Sequence, residues 1–382
     1  MKLAALFLAG SLLLVAQHLP VDEQLVHEST DARIKNYEKL LAASPNDLKL
    51  QSGLISAYLQ KVRETSDFDY LNRASKIVDR ILEKDGGSLT ALRFENEIDL
   101  QRHDFKAVAE RSADMLKYEP SDAGTWGNFG DALMELGEYE RAGNAYVRMF
   151  ALRPSLSSYN RMAWYRFVTG DPNSAIALMR EAVDAGDPVS QNTAWCEAEL
   201  GDMYFKIGKL NEAADAYSAA LTLFPTLHRA LAGYGQVEAA RGHTAEAIRE
   251  YERAQAIVPL PQYAGALEDL YTQAGMTRKA HEQRDLISTI EKLGQATNEK
   301  TNRNLALLLA DHNRDLPLAL QLMKAELPVR GDVYTWDAYA WVLYKSGQVA
   351  EAKQASQKAL SLHTPEPMFY AHARQIEAGI TQ

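Results

Sequence analysis

The sequence predicts an all-α chain built as a solenoid of stacked antiparallel helix pairs. Three observations predict it. Prolines recur at Pro120, Pro154, Pro188, Pro225 and Pro259, spaced 34, 34, 37 and 34 residues apart. Glycines recur at Gly137, Gly170, Gly208, Gly242 and Gly275, and again at Gly347. Alanines stand five residues after each of these, at Ala142, Ala175, Ala213, Ala247, Ala280 and Ala352. A shared period near 34 residues marks a repeat architecture, and it replaces the two or three globular domains that 382 residues would otherwise suggest.

The chain begins with Met1-Lys2 and then an apolar or small-residue run from Leu3 to Ala16. One lysine, an apolar stretch of this length and a small residue at its end read as a secretory signal peptide over 1–16, extending at most to about residue 20. The run is shorter than the roughly 20 residues a spanning helix needs. It is either cleaved or retained as an anchor. Residues 29–45 read as a lone second helix ending at Pro45, and 46–88 as a helix pair widened around Glu64–Tyr70. In 89–122, Leu92, Val108 and Pro120 fall in register, with His103 in place of the inter-helix glycine.

Residues 123–155 set the pattern. Trp126, Phe129, Gly130 and Leu133 follow i, i+3, i+4, i+7, one stripe of a helix. Gly137 ends that helix, because glycine enters the left-handed conformation at low cost. A second stripe, Ala142, Tyr146 and Met149, runs until Pro154. The small Gly130 and Ala142 allow close approach of the two helices, with Trp126 and Tyr146 filling the space beside them.

This segment, WGNFGDALMELGEYERAGNAYVRMFALRP, resembles the tetratricopeptide repeat in its aromatic, leucine-like, glycine, alanine, aromatic and terminal-proline slots. Residues 194–227 (Gly201, Tyr204, Gly208, Ala213, Tyr217, Ala220), 228–261 (Gly235, Gly242, Ala247, Tyr251) and 333–366 (Trp336, Gly347, Ala352, Ala359) repeat it. Weaker copies occupy 156–188, 262–295, where Glu268 replaces the small residue, and 300–332, with Asn313-Arg314 at the turn. Pro367 to Ile380 reads as a final capping helix. The organisation is thus 29–88 as imperfect N-terminal repeats, 89–295 as a central array, and 296–382 as C-terminal units with a cap. The resemblance implies a right-handed superhelical solenoid of this family.

Composition excludes several functions. With 41 basic and 51 acidic residues the net charge is −10, and no basic block offers a surface for nucleic acid. Removal of the leader would leave no segment apolar enough to span a membrane. Cys196 is the only cysteine, so neither an internal disulfide nor a cysteine cage for a metal is available, and its place on a first helix reads as a buried structural thiol. The nine histidines form no H-E-x-x-H, and no G-x-S-x-G elbow or phosphate loop is present. The sequence thus predicts no catalytic residues, cofactor or metal, and a chain that is not an enzyme. A catalyst assembled across repeats would need a closed pocket.

In proteins that resemble this family the first helices line a concave channel that takes partner segments. The slots that would face it collect two clusters: Asn160, Trp164, Phe167, Trp195, Asp202 and Phe205, and then Tyr334, Asp337, Trp341 and Tyr344. Aromatic rings interleaved with amides and carboxylates suit hot-spot recognition of a protein or peptide. The lysine–asparagine pattern by which some members hold a C-terminal carboxylate is missing. Carboxylates at Glu97, Asp131, Asp202, Asp269 and Asp337 suggest instead a neutral or basic partner segment. Together these readings predict an exported scaffold or adaptor of the cell envelope, periplasmic or secreted. An accessory subunit regulating an enzyme, transporter or secretion machine is the alternative.

Overall fold

The computed structural model describes residues 29–296 and 302–379; the leader lies outside the described residues. Twenty helices follow one another with no strand among the described residues. A lone helix, α1 (Thr30–Ala43), precedes nine pairs. They are α2 (Leu48–Thr65) with α3 (Phe68–Lys84), α4 (Leu89–Gln101) with α5 (Phe105–Tyr118), and α6 (Ala123–Glu135) with α7 (Tyr139–Leu152). Next come α8 (Leu156–Val168) with α9 (Pro172–Asp184), α10 (Gln191–Lys206) with α11 (Leu210–Leu223), and α12 (His228–Ala240) with α13 (Thr244–Ile257). The last three are α14 (Pro261–Gln273) with α15 (Thr277–Ala296), α16 (Arg303–Asp311) with α17 (Leu316–Glu326), and α18 (Val333–Lys345) with α19 (Val349–Ala359). The cap, α20 (Pro367–Gly379), ends the described chain.

The periodic marks act as predicted. Gly137, Gly170, Gly208, Gly242, Gly275 and Gly347 all take positive φ, from 70° to 86°, at the turn inside a pair. Where glycine is missing, His103 and Asn313 adopt the same conformation at 62° and 51°. Asparagine tolerates it well, and the imidazole of His103 is held against the Phe105 ring, centroids 5.5 Å apart. Each turn closes with a bond from the residue after the glycine back to the helix, as Glu138 N–H donates to the Leu133 carbonyl at 2.8 Å.

Within a pair, the small slot admits an aromatic ring. A Cβ on Gly130 would lie 2.3 Å from the Tyr146 ring, and one on Gly201 2.7 Å from the Tyr217 ring. Both tyrosines are fully buried. Trp126 departs from its expected core position. It is half-buried at the edge of its unit, its indole N–H donating to the Pro120 carbonyl at 2.9 Å. Glu268, which breaks the small-residue pattern, is buried but held by Arg284 and Arg314, so two guanidinium groups compensate the lost packing slot.

Each helix packs on the next in order, except that α16 packs on α14 rather than on α15. First helices also touch the first helices of neighbouring units, as α4 with α6, α6 with α8, α8 with α10, α10 with α12 and α16 with α18; second helices make no comparable contact with one another. The first helices therefore form the inner, concave layer of the curve. Among the described residues no helix is long and apolar enough to cross a membrane.

Candidate functional site

The two clusters expected on the concave layer are brought together. The Trp164 indole, near the end of α8, stacks on the Tyr334 ring at the start of α18, with centroids 5.9 Å apart and planes inclined by 15°. Phe167 is parallel to Trp164 at 6.4 Å and fully buried. Asn160 is buried too, its amide N–H directed at the sulfurs of Met179 (3.6 Å) and Cys196 (3.7 Å). Cys196 is the buried thiol that the sequence predicts, and burial pushes its pKa up.

Trp195, Phe205, Asp202, Tyr334 and Tyr344 are half-buried and keep part of their surface. The Arg229 guanidinium lies 4.7 Å over the Trp195 ring. At the C-terminal end Trp341 is buried in a stack. His372 lies parallel to it at 4.1 Å, Lys345 is 5.1 Å from its ring, and its indole N–H donates to Asp311 at 2.7 Å. His372 in turn meets the buried Asp337 at 2.9 Å. Five of the ten residues, Asn160, Trp164, Phe167, Asp337 and Trp341, thus lie beneath the surface.

For Trp164 and Phe167 the reason is a seam that the repeat pattern does not announce. The loop before α18 docks on the turn inside the third pair and the loop before α20 on the turn inside the fourth. Gly331 N–H donates to the Glu135 carbonyl at 2.8 Å, and Val333 N–H to the Tyr139 hydroxyl at 2.8 Å. The Thr364 hydroxyl donates to the Val168 carbonyl at 2.6 Å. The backbones approach closely enough that a Cβ on Gly331 would lie 2.8 Å from the Leu136 carbonyl oxygen. Gly331 is therefore needed for this contact, and Gly137, at φ 78°, for contact as well as for conformation.

Charge completes the seam. Lys206, the last residue of α10, pairs with Glu366 at 2.9 Å, and its ammonium lies 5.2–5.7 Å from the Trp164, Phe167 and Tyr334 rings. Phe369 meets Tyr334 edge-on at 5.0 Å. Arg330, 3% exposed, reaches Glu135 at 2.7 Å and Glu326 at 3.3 Å. Burial pushes the Glu135 carboxyl up to about 7, with Arg330 opposing the rise. Between these groups lies a cavity of about 20 Å³, lined by Glu135, Tyr139, Trp164, Arg303, Asp332 and Tyr334. That volume admits a water.

The groove carboxylates are also largely engaged. Asp131 accepts two-pronged bonds from Arg161 at 2.8–3.0 Å and a third from the Tyr146 hydroxyl at 2.8 Å. Asp202 repeats the device with Arg229 and Tyr217. Asp269 meets His312 at 3.0 Å, and Asp337 meets His372. In each case the partner base comes from a later element of the chain itself. Glu97 differs: its Oε1 is buried without a hydrogen bond, among Arg63, Arg93 and Arg161, and burial raises its pKa to about 7. The expectation of an open acidic lining thus gives way to internal ion pairs. Lys206, Arg330, Gly331, Thr364, Glu366 and Phe369 were not legible as site residues, because none occupies a periodic slot.

Comparison with known proteins fits this geometry. Tetratricopeptide repeat models match residues 123–155 and, in two overlapping copies, 160–228 and 198–260. No curated protein matches the chain in sequence. Among solved structures, the APC/C hetero-tetramer Cut9-Hcn1 aligns at 16% identity and a TM-score of 0.54, over 91% of this chain and 60% of that one. MamA aligns at 24% identity and a TM-score of 0.37, over 44% of this chain and 96% of its own. Pseudomonas aeruginosa pilF aligns at 18% identity and 0.42, over 62% and 96%. With helix pairs of the same kind continuing on both sides of the matched repeats, the chain is a tetratricopeptide-repeat protein, and its array is a scaffold fold typical of protein–protein interaction.

Proposed function

We propose that this protein is an exported, non-catalytic scaffold or adaptor of the cell envelope that binds a protein or peptide segment on its concave face. The observation that carries the reading is the inner layer of first helices, on which Trp195, Asp202, Phe205, Tyr334 and Tyr344 keep exposed surface. These five are the direct contacts. Asn160, Trp164, Phe167, Asp337 and Trp341 shape the surface from below. Large aromatic side chains lose little conformational entropy on contact and concentrate binding energy in few positions. Export rests on the apolar run at residues 3–16.

Two measurements test it. Fractionation with N-terminal sequencing should find a shortened chain outside the cytoplasm; a full-length cytoplasmic chain refutes export. A photo-crosslinker placed at Phe205 or Tyr344 should capture a protein from the native envelope that one at Val147, exposed on a second helix, does not. The captured protein, once purified, should bind wild type and lose at least about tenfold in affinity to Trp195→Ala. Equal capture at all three positions would sink the groove assignment.

A further inference from the structure

The seam has the make-up of a docking site that is already filled. On one side stand Trp164 and Phe167, the Val168 carbonyl and the Lys206 ammonium. On the other, one short stretch supplies a hydroxyl from Thr364, a carboxylate from Glu366 and an aromatic ring from Phe369. Pro365 and Pro367 flank Glu366. Residues 363–366 run without regular structure before α20 begins, so the contact is made by an extended peptide and the first turn of a helix. Tyr334 completes the aromatic wall, contributing its ring to both Trp164 and Phe369.

Lys206 fixes the chemistry of what fits. Its ammonium is enclosed by three rings, and Glu366 is its salt-bridge partner. Withdrawal of Glu366 would leave a half-buried cation facing aromatic rings, an arrangement that favours an incoming carboxylate. The hydrogen bonds that hold the seam are few and come from loops, whereas the units on either side are held by complete helix packing. Elements with few buried contacts open at lower free energy than cores.

We propose that the face formed by Trp164, Phe167, Val168 and Lys206 is a docking site for an acidic segment with an aromatic residue about one helical turn beyond its carboxylate. The chain's own Thr364–Phe369 stretch occupies it as an internal competitor. This rests on the scaffold reading, to which it adds the partner's chemistry and a closed state. The occupied face accounts for the enclosure of Trp164, Phe167 and Lys206, which lie where the partner segment would dock.

The probe is a labelled peptide of this chain's own residues 362–372, LHTPEPMFYAH, titrated against the full chain. Wild type should bind it weakly, because the face is filled. The double variant Thr364→Val/Glu366→Gln, which loosens the internal copy at two buried loop positions, should bind at least about tenfold more tightly. Adding Lys206→Met to that variant should remove the gain. A peptide with glutamine in place of its glutamate should also bind at least about tenfold more weakly. No binding to the double variant at about 1 mM peptide, equal binding to wild type, or binding indifferent to Lys206→Met overturns the proposal. Native-state hydrogen exchange tests the wild type without substitution. Amides of 330–336 and 364–370 should open ahead of those in α8 and α10, and exchange only through global unfolding contradicts an internal competitor. Failure of either test leaves envelope capture at Phe205 and Tyr344 to decide the scaffold reading separately.

Discussion

Trp164 and Tyr334 stack face to face, although one ends the first helix of the fourth pair and the other begins the first helix of the ninth. A solenoid whose units met only their neighbours would keep these rings apart. Their contact closes the curve upon itself and joins one ring from each expected binding patch in a seam. Substitutions at such positions therefore report on stability first.

Trp341→Ala should lower stability by about 3–5 kcal/mol, since it removes a buried ring stacked on His372 and a hydrogen bond to Asp311. Trp164→Ala should cost a similar amount. Urea unfolding followed by circular dichroism measures both. Intact stability would mean that these rings stand free in the groove.

Gly130→Ala should destabilise by about 1–3 kcal/mol, because the new methyl group meets the Tyr146 ring 2.3 Å away and neither backbone nor ring has room to yield. Gly86→Ala, where the nearest atom is the Leu82 carbonyl at 3.7 Å, should change stability by no more than about 0.5 kcal/mol. Chemical denaturation of the two variants side by side separates overpacking from a general glycine effect.

The Asp131–Arg161 pair is buried on both sides, at 0% and 3% exposure. Asp131→Asn or Arg161→Met alone should cost about 3–5 kcal/mol, because each strands a charge without water. The double variant Asp131→Asn/Arg161→Met should cost clearly less than the sum of the single changes. Additive losses in a double-mutant cycle would mean that the two residues do not act as a pair.

His228 contributes to the acid sensitivity, as does His103, whose pKa burial lowers to about 3. Burial, reinforced by the neighbouring Arg229, lowers the pKa of His228 to about 4, while in the unfolded chain it titrates near 6.5. The folded state thus holds the neutral ring, bonded to the Tyr263 hydroxyl at 2.8 Å. Below the unfolded value the unfolded chain takes up the proton and the folded chain does not. This contribution is therefore complete above about pH 6.5 and declines as pH falls towards 4. His228→Gln should flatten the melting temperature across that window by at least about 2 °C relative to wild type. An unchanged slope would place the acid response elsewhere.

Much of the fold was legible because its marks are local. A glycine at positive φ, an alanine in a tight crossing and a proline after a helix each act within a few residues, so Gly137, Ala142 and Pro154 announced their roles. His103 and Asn313 were legible for the same reason, standing where glycine was due. The site was less legible. Slot arithmetic placed Trp164 and Tyr334 on the inner layer, but their stacking depends on how far the superhelix turns over five units. That angle is an accumulation of small rotations at every interface, and no single residue encodes it. Asp131 and Asp202 looked like open carboxylates because their arginines, Arg161 and Arg229, come from the next unit.

The most direct test of the closed array is zero-length carbodiimide coupling of the purified monomer, read by peptide mass spectrometry. The Lys206 ammonium and the Glu366 carboxylate are 2.9 Å apart, so the account predicts an amide cross-link between these two residues within one chain. Coupling of Lys206 to carboxylates of its own helix, with none to Glu366, would contradict it.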